Sequence, residues 1–308
     1  MKIVFMGTPD FSVPALEKLA EKHQVAAVVT QQDRPKGRGH KMQFTPVKET
    51  ALKLDIPVYQ PAKVKDSEFV DILREINPDV IVVIAFGQIL SKEILDLPRF
   101  GCINVHASLL PKYRGAAPIQ WAVIDGEKET GVTTMYMAEG LDTGDIIDVS
   151  RVTLDEKETG GSLFDKLAEE GGELILRTLE KLENGTATRT PQDDTRSTYA
   201  GKITKELGNI DFSKPAEEIE RLIRGLNPWP SAYTYMDDKM MKVWDAAVVD
   251  EETDREPGAI LESGKDYIKV ATGKGTLKIS ELQLEGKKRM TAAAFLNGYT
   301  VTTDRLGR

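Results

Sequence analysis

The sequence predicts an α/β protein: an open, doubly wound sheet in the N-terminal half and a small β-barrel at the C-terminal end. Three observations carry that prediction. Short apolar, β-branched runs alternate with amphipathic stretches through the first half. The run DVIVVIAFG (79–87) is apolar almost throughout, as a central parallel strand buried on both faces must be. Beyond the helical stretch at 215–226, short alternating runs separated by turn signals replace the helical period. Such a pairing corresponds to a Rossmann-like sheet domain followed by an OB-like barrel.

The elements follow in order. KIVFMG (2–7) is the first strand, and the turn Thr8-Pro9-Asp10 follows it. Ser12 is placed to cap a helix through VPALEKLAEK, where Pro14 falls in the tolerant first turn. VAAVVT (25–30) is a second strand and PVKETALKL (46–54) a second helix. DSEFVDILREI carries Phe69, Val70, Leu73 and Ile76 on one helical face. GCINVH (101–106) is another strand, and VTTMYM and DIIDVSRV flank a loop from Ala138 to Gly144. The long helix at 162–185 closes a first domain, giving boundaries of 1–188, a Thr- and Asp-rich linker at 189–205, and a second domain at 206–308. In the last part AYTYM, KMMKVWDAAVV, PGAILES and YIKVATGKGTLKISELQLE are the strand candidates.

Composition excludes several classes. No apolar stretch reaches the roughly 18 residues of a membrane span, and the chain opens directly on a strand, so neither a secretory leader nor a membrane association is expected. Cys102 is the single cysteine, which rules out an internal disulfide and fits a reducing, cytoplasmic setting. His23, His40 and His106 stand without metal-ligand spacing, so no metal site is expected. Net charge is −8, so any contact with a polyanion must come from local basic patches. Gly7 lies where a dinucleotide fingerprint would start, but G-x-G-x-x-G is missing and no P-loop occurs, so a turn closing a βα unit is the better reading.

Open α/β sheets bind ligands at the carboxyl ends of their strands. Asn104 and His106 stand at such an end, two residues apart, so their side chains share one face and can converge on one ligand atom. A structural histidine and a loop-capping asparagine would look the same locally. The acidic loop holding Glu139, Asp142 and Asp145 with Gly140 and Gly144 lacks the calcium-loop spacing. It can instead present a carboxylate to His106 and fix the imidazole tautomer.

Together, INVHASLLPKYRGAAPIQWAV (103–123) and TGVTTMYMAEGLDTGDII (130–147) resemble the signature region of the folate-dependent formyltransferases. MGTPDFSVPALEKL, TQQDRPKGRGHKM, VVIAFGQILSKEIL and GLNPWPSAYT extend the resemblance over essentially the whole chain, toward the members that formylate methionyl-tRNA. The resemblance implies a catalytic trio of Asn104, His106 and Asp142. It implies 10-formyltetrahydrofolate as formyl donor and co-substrate, without a metal. The folate would lie against Ser108, Leu109, Leu110 and Pro111 on one side and Phe86, Gly87, Gln88, Ile89 and Leu90 on the other, with Glu139 nearby. The implied partner is initiator methionyl-tRNA, met by a monomer.

Charge bears separately on that partner. RPKGRGHKMQFTPVK (34–48) holds Arg34, Lys36, Arg38, Lys41 and Lys48 without an acidic residue, and its glycines suggest a mobile insertion. On charge alone a solvated loop is the default, and the resemblance turns the expectation toward tRNA. From Gly264 to Arg308 nine Lys/Arg face four Asp/Glu, which suits a nucleic-acid-docking barrel without requiring one. Two other readings stay open: a folate enzyme acting on a small amine, and a catalytically silent RNA-binding protein. The basic insertion and barrel weigh against the first, and joint retention of the trio weighs against the second.

Overall fold

The structure is a computed structural model that describes residues 1–36 and 41–307. It divides into two compact units: residues 1–118, 129–153 and 164–200 form the first, and residues 119–128, 154–163 and 201–308 the second.

The first unit is built on a seven-stranded sheet. Its spatial order is Ile146–Thr153, Glu129–Tyr136, Cys102–His106, Val80–Ile84, Lys2–Gly7, Gln24–Val29 and Val58–Tyr59. The last five of these run parallel, and the first two form an antiparallel hairpin at one edge. Every residue of Val80–Ile84 is buried, which is why that stretch shows no polar alternation in sequence. Each such Val or Ile contributes roughly 1.5–3 kcal/mol by leaving water. The chain moves outward from Lys2–Gly7 to Val58–Tyr59, then returns to Val80–Ile84 on the other side. That reversal is the topological switch point, where doubly wound sheets open a ligand crevice.

Helix Ser67–Ile76 buries Phe69, Val70 and Leu73, as its period predicts, and ends at Asn77 with φ +48°. Ser12 departs from expectation. It sits in a short 3₁₀ turn, and its hydroxyl donates to the Ile84 carbonyl at 2.8 Å rather than capping helix Val13–Lys22. A tertiary acceptor at the switch point outcompetes the local cap. At Gly7 a Cβ would lie 2.8 Å from Phe5 Cε1 and 3.1 Å from the Ile84 carbonyl, so the close approach of the neighbouring strand's backbone explains that glycine. The basic insertion is more regular than a mobile loop on its flanks: Arg34–Lys36 and Lys41–Gln43 pair as a two-stranded antiparallel ladder.

The second unit carries an antiparallel sheet in the order Ala232–Met236, Lys239–Val249, Thr276–Leu284, Ile268–Ala271 and Ile260–Ser263. Its two edges are joined by the end of the chain. Gly307 donates to the Tyr235 carbonyl, Leu306 to Gly258, and Ile260 to Asp304, all at 2.8–2.9 Å. Edge groups that would otherwise be left open are satisfied in this way. The interior packs Ile219 and Ile223 of helix Ala216–Gly225 against Met241, Val243, Ile279 and Leu282. Residues 189–200, the first part of the expected linker, belong to the first unit. Among the described residues no helix is long and apolar enough to cross a membrane.

Candidate active site

Strand Cys102–His106 brings Asn104 and His106 to one side and buries Ile103 and Val105 on the other. Asn104 is half-buried, and among the described residues its amide finds no hydrogen-bond partner, so both N–H donors are available to a ligand. His106 is held firmly. Its Nε2 is 2.8 Å from the Tyr113 carbonyl, which can only accept, so that nitrogen carries the proton. The ring is thus oriented by a main-chain oxygen, and Nδ1 is the nitrogen turned to Asp142.

Asp142 comes from the loop between the two antiparallel edge strands, with φ +52°. Its Oδ2 accepts the Gly115 N–H at 2.8 Å and lies 3.7 Å from His106 Nδ1. At that separation the pair is an electrostatic contact rather than a hydrogen bond. Both side chains are largely shielded, at 7% and 14% exposure, which strengthens the field between them. From the sequence, Asp142 is expected to orient the imidazole; in the structure the Tyr113 carbonyl holds the ring, and Asp142 places a negative charge beside its free nitrogen.

The loop after the strand is pinned by its own polar atoms. Ser108 Oγ donates to the Lys112 carbonyl at 2.7 Å, Thr133 Oγ1 donates to the Ser108 carbonyl at 2.6 Å, and Leu110 N–H donates to Thr133 Oγ1 at 3.2 Å. Ser108 is fully buried and serves the loop rather than presenting a free hydroxyl. Leu110 is buried, while Leu109 and Pro111 remain half-exposed. On the other expected wall, burial divides the residues. Phe86 and Leu90 belong to the core, and Gln88 is tied to the Val64 N–H and the Pro61 carbonyl. Gly87 and Ile89 face outward, Ile89 at 86% exposure, as do Glu139 and Leu141 in the acidic loop. Exposed isoleucine and leucine side chains on site loops are surface that a flat apolar ligand can cover.

Cys102 offers no nucleophile. Burial, with a smaller contribution from the Asp96 charge, pushes its thiol up to about 12, and Sγ is 3.5 Å from the Ile94 carbonyl. Among the described residues no cluster of three His, Cys, Asp or Glu could hold a metal ion.

Of the basic residues, Arg34 is exposed, and Lys36 and Lys41 are paired in register across the ladder. The side chains of Lys36 and Lys41, and all of Arg38, lie outside the described residues. The base of the ladder is anchored. Lys48 Nζ donates to Asp33 at 2.5 Å and Gln60 at 2.7 Å, and Gln60 Nε2 donates to Asp33 at 2.9 Å. The Lys48 ammonium holds the Asp33 carboxyl below the usual carboxylate range. Lys48 therefore has a structural partner, unlike a lysine left free for a phosphate.

A family model described as formyl transferase matches residues 1–179, and one described as formyl transferase, C-terminal domain, matches residues 202–300. The chain belongs to the formyl transferase family. A relative from Agathobacter rectalis named methionyl-tRNA formyltransferase is 60% identical over 302 residues, covering 98% of this chain and 97% of that protein. One of the same name from Clostridioides difficile is 55% identical over 304 residues, covering 98% of each. Among solved structures, the sugar 3N-formyl transferase WlaRD, in the presence of dTDP and 5-N-formyl-THF, has a TM-score of 0.68 at 20% identity. The match covers 94% of this chain and 99% of that one. HypX from Aquifex aeolicus, in complex with tetrahydrofolic acid, has a TM-score of 0.63 at 19% identity; this chain spans about half of it (47%). Both show the shared formyl transferase fold.

Sequence alone missed three contributors to this site: the Tyr113 carbonyl, the Gly115 N–H and the amide of Gln192, whose Nε2 donates to the Asp142 carbonyl at 2.8 Å. Two are main-chain groups without a side-chain signature. The third stands in a stretch whose composition signals only a linker.

Proposed function

We propose that this formyl transferase moves the formyl group of 10-formyltetrahydrofolate onto the α-amino group of initiator methionyl-tRNA, releasing tetrahydrofolate and N-formylmethionyl-tRNA. The observation that carries the reading is the unpartnered Asn104 amide beside a fixed His106 and a shielded Asp142. The names and near-full-length identity of the relatives support the substrate.

The amine nitrogen attacks the formyl carbon and produces a tetrahedral oxyanion. Donors aimed at that oxygen contribute only as charge develops on it, so they lower the barrier rather than merely tighten binding. The Asn104 N–H₂ group is one such donor. His106 Nδ1, with Asp142 beside it, takes or supplies the proton that leaves the amine and arrives on N10 as the C–N10 bond breaks. No covalent enzyme intermediate is required, in keeping with the inert Cys102 thiol. Leu109 and Pro111, with the outward-facing Gly87 and Ile89, offer the folate its apolar contacts, and the basic residues Arg34, Lys36, Arg38 and Lys41 meet tRNA phosphates. The enzyme works in the cytoplasm as a monomer.

Incubation with 10-formyltetrahydrofolate and either methionylated initiator tRNA or small amines tests this directly. Formylation of the tRNA alone is expected, and His106→Ala should remove turnover while tRNA affinity stays within a few fold. Formylation of a free amino sugar or glycinamide ribonucleotide in preference to the tRNA would overturn the substrate assignment. Normal turnover by His106→Ala would overturn the mechanism.

A further inference from the structure

Residues 180–201 are covered by neither family model, yet residues 189–192 run across the loop that presents Asp142, and residues 198–200 lie against 111–117. Arg189 lies 3.6 Å over the Tyr136 ring, at the foot of that loop, and 3.7 Å from Asp145. Thr190 exchanges two main-chain hydrogen bonds of 2.9 Å with Ile146. Gln192 then spends both its amide N–H groups on the loop: Nε2 is 2.8 Å from the Asp142 carbonyl and 2.8 Å from the Gly144 carbonyl. Its Oε1 accepts from Arg114 Nε at 3.1 Å and Arg114 Nη2 at 2.9 Å. Arg114 can only donate and the two carbonyls can only accept, so a single orientation of the Gln192 amide satisfies all four contacts.

These contacts bear on the two groups that set the His106–Asp142 geometry. Asp142 occupies the left-handed region, φ +52°, which costs an L-residue free energy unless its surroundings hold it there. Gln192 fixes its carbonyl from one side, and Gly115 N–H fixes its carboxylate from the other. Arg114, which sets Gln192, is the residue next to Gly115. The same segment supplies Thr198 Oγ1, which accepts the Tyr113 N–H at 2.8 Å, and Tyr113 is the residue whose carbonyl holds the imidazole. The Ala200 carbonyl accepts the Ala116 N–H at 2.9 Å. One strap thus touches both supports of the catalytic pair.

We infer that Gln192 is a positioning residue for the formyl transfer, a clamp that holds the Asp142 loop at the distance from His106 that proton handling requires. The inference rests on the proposed roles of His106 and Asp142. Substrate recognition is not its task, because its four hydrogen-bonding positions are occupied by protein groups.

Gln192→Glu tests it with almost no change in shape. The variant keeps the acceptor for Arg114 but sets an oxygen against the Asp142 and Gly144 carbonyls in place of two donors. Small displacements of reacting groups cost on the order of tenfold to a hundredfold in rate. Turnover should fall by about tenfold or more, and by a larger factor than any change in the KM for folate, because Leu109, Pro111, Gly87 and Ile89 lie outside the clamped loop. Gln192→Asn, which keeps the amide on a shorter arm, should lose less. The decisive arm is a double-mutant cycle: in an Asp142→Asn background, Gln192→Glu should cost little further turnover, since the charge it positions is already gone. Losses that multiply in the double variant, or an unchanged kcat in Gln192→Glu, would overturn the clamp while leaving the trio intact. An Asp142→Asn variant with wild-type turnover would instead bring down the trio reading, and the clamp with it. Thermal unfolding of each variant separates a purely structural role, which would lower Tm without the selective loss of kcat.

Discussion

Gly115→Ala is the most exacting single substitution the structure suggests, since it strikes the support of Asp142 without altering any side chain of the trio. Gly115 has φ +116°, and a Cβ built there lies 2.7 Å from the Ala200 carbonyl oxygen and 2.7 Å from Tyr199 Cε2. The backbone conformation costs a non-glycine residue about 1–3 kcal/mol. Separating the Arg114–Gly115 and Tyr199–Ala200 ladder to admit the methyl group costs about as much again. A loss of about 2–6 kcal/mol would lower Tm by on the order of 10 °C for a chain of this size. The same movement withdraws the N–H that donates to Asp142 Oδ2 at 2.8 Å. Turnover at saturating substrates should therefore fall on the order of tenfold or more, measured well below the transition on protein shown to be folded. Scanning calorimetry and a formylation assay give both readings from one preparation. A variant with wild-type Tm would refute the steric argument, and one with lowered Tm but wild-type kcat would refute the link from Gly115 to Asp142.

Three further outcomes follow from other parts of the molecule. Asn104→Ala should cost about 2.7–4 kcal/mol of transition-state stabilisation if its free amide meets the oxyanion; a kcat loss of under about fivefold would assign Asn104 to ground-state binding instead. Replacing Arg34, Lys36, Arg38 and Lys41 with alanine should weaken tRNA binding and flatten its salt dependence, by a slope of about 0.7–0.9 for each phosphate no longer neutralised. Folate affinity should be unchanged, and an unaltered kcat/KM for tRNA at low salt would return the ladder to a solvated role. Because the Lys48 hydrogen bond depresses the Asp33 carboxyl, that pair stabilises the protein above the ordinary carboxylate range and loses its effect as pH falls through it. The Tm difference between wild type and Lys48→Met should therefore be full near neutral pH and shrink below about pH 4; a difference that is constant down to pH 3 would contradict it.

Much of this site is legible in the sequence, and the particular residues show why. Asn104 and His106 share a face because a strand repeats every two residues, and the strand itself is announced by an apolar run ending in two polar groups. The folate wall expected at 86–90 shows where a sequence reading of whole segments stops short of single residues. Phe86, Leu90 and Gln88 turn inward to the core and the 61–64 stretch, and that choice depends on neighbours distant in sequence. Ser12 departs from its expected role for a related reason: a capping residue looks the same whether its hydroxyl serves its own helix or, as here, the Ile84 carbonyl 72 positions away.

The sequence by itself determined the parallel strands, the helical faces and the polar pair at a strand end, because each is encoded in a period of two or 3.6 residues. It also determined the inert chemistry of its one cysteine, placed within an apolar run. Only the tertiary structure decided which atoms surround His106. The Tyr113 carbonyl and the Gly115 N–H are groups that every residue of their kind carries, so no residue type marks them. Their use depends on a loop returning at positive φ to the carboxyl end of the sheet. Asp142 reaches the imidazole because its hairpin pairs with strand Cys102–His106, and Gln192 reaches Asp142 across 50 positions of chain. Such pairings are settled by the burial and hydrogen-bond satisfaction of the whole sheet, which no local window of the sequence contains.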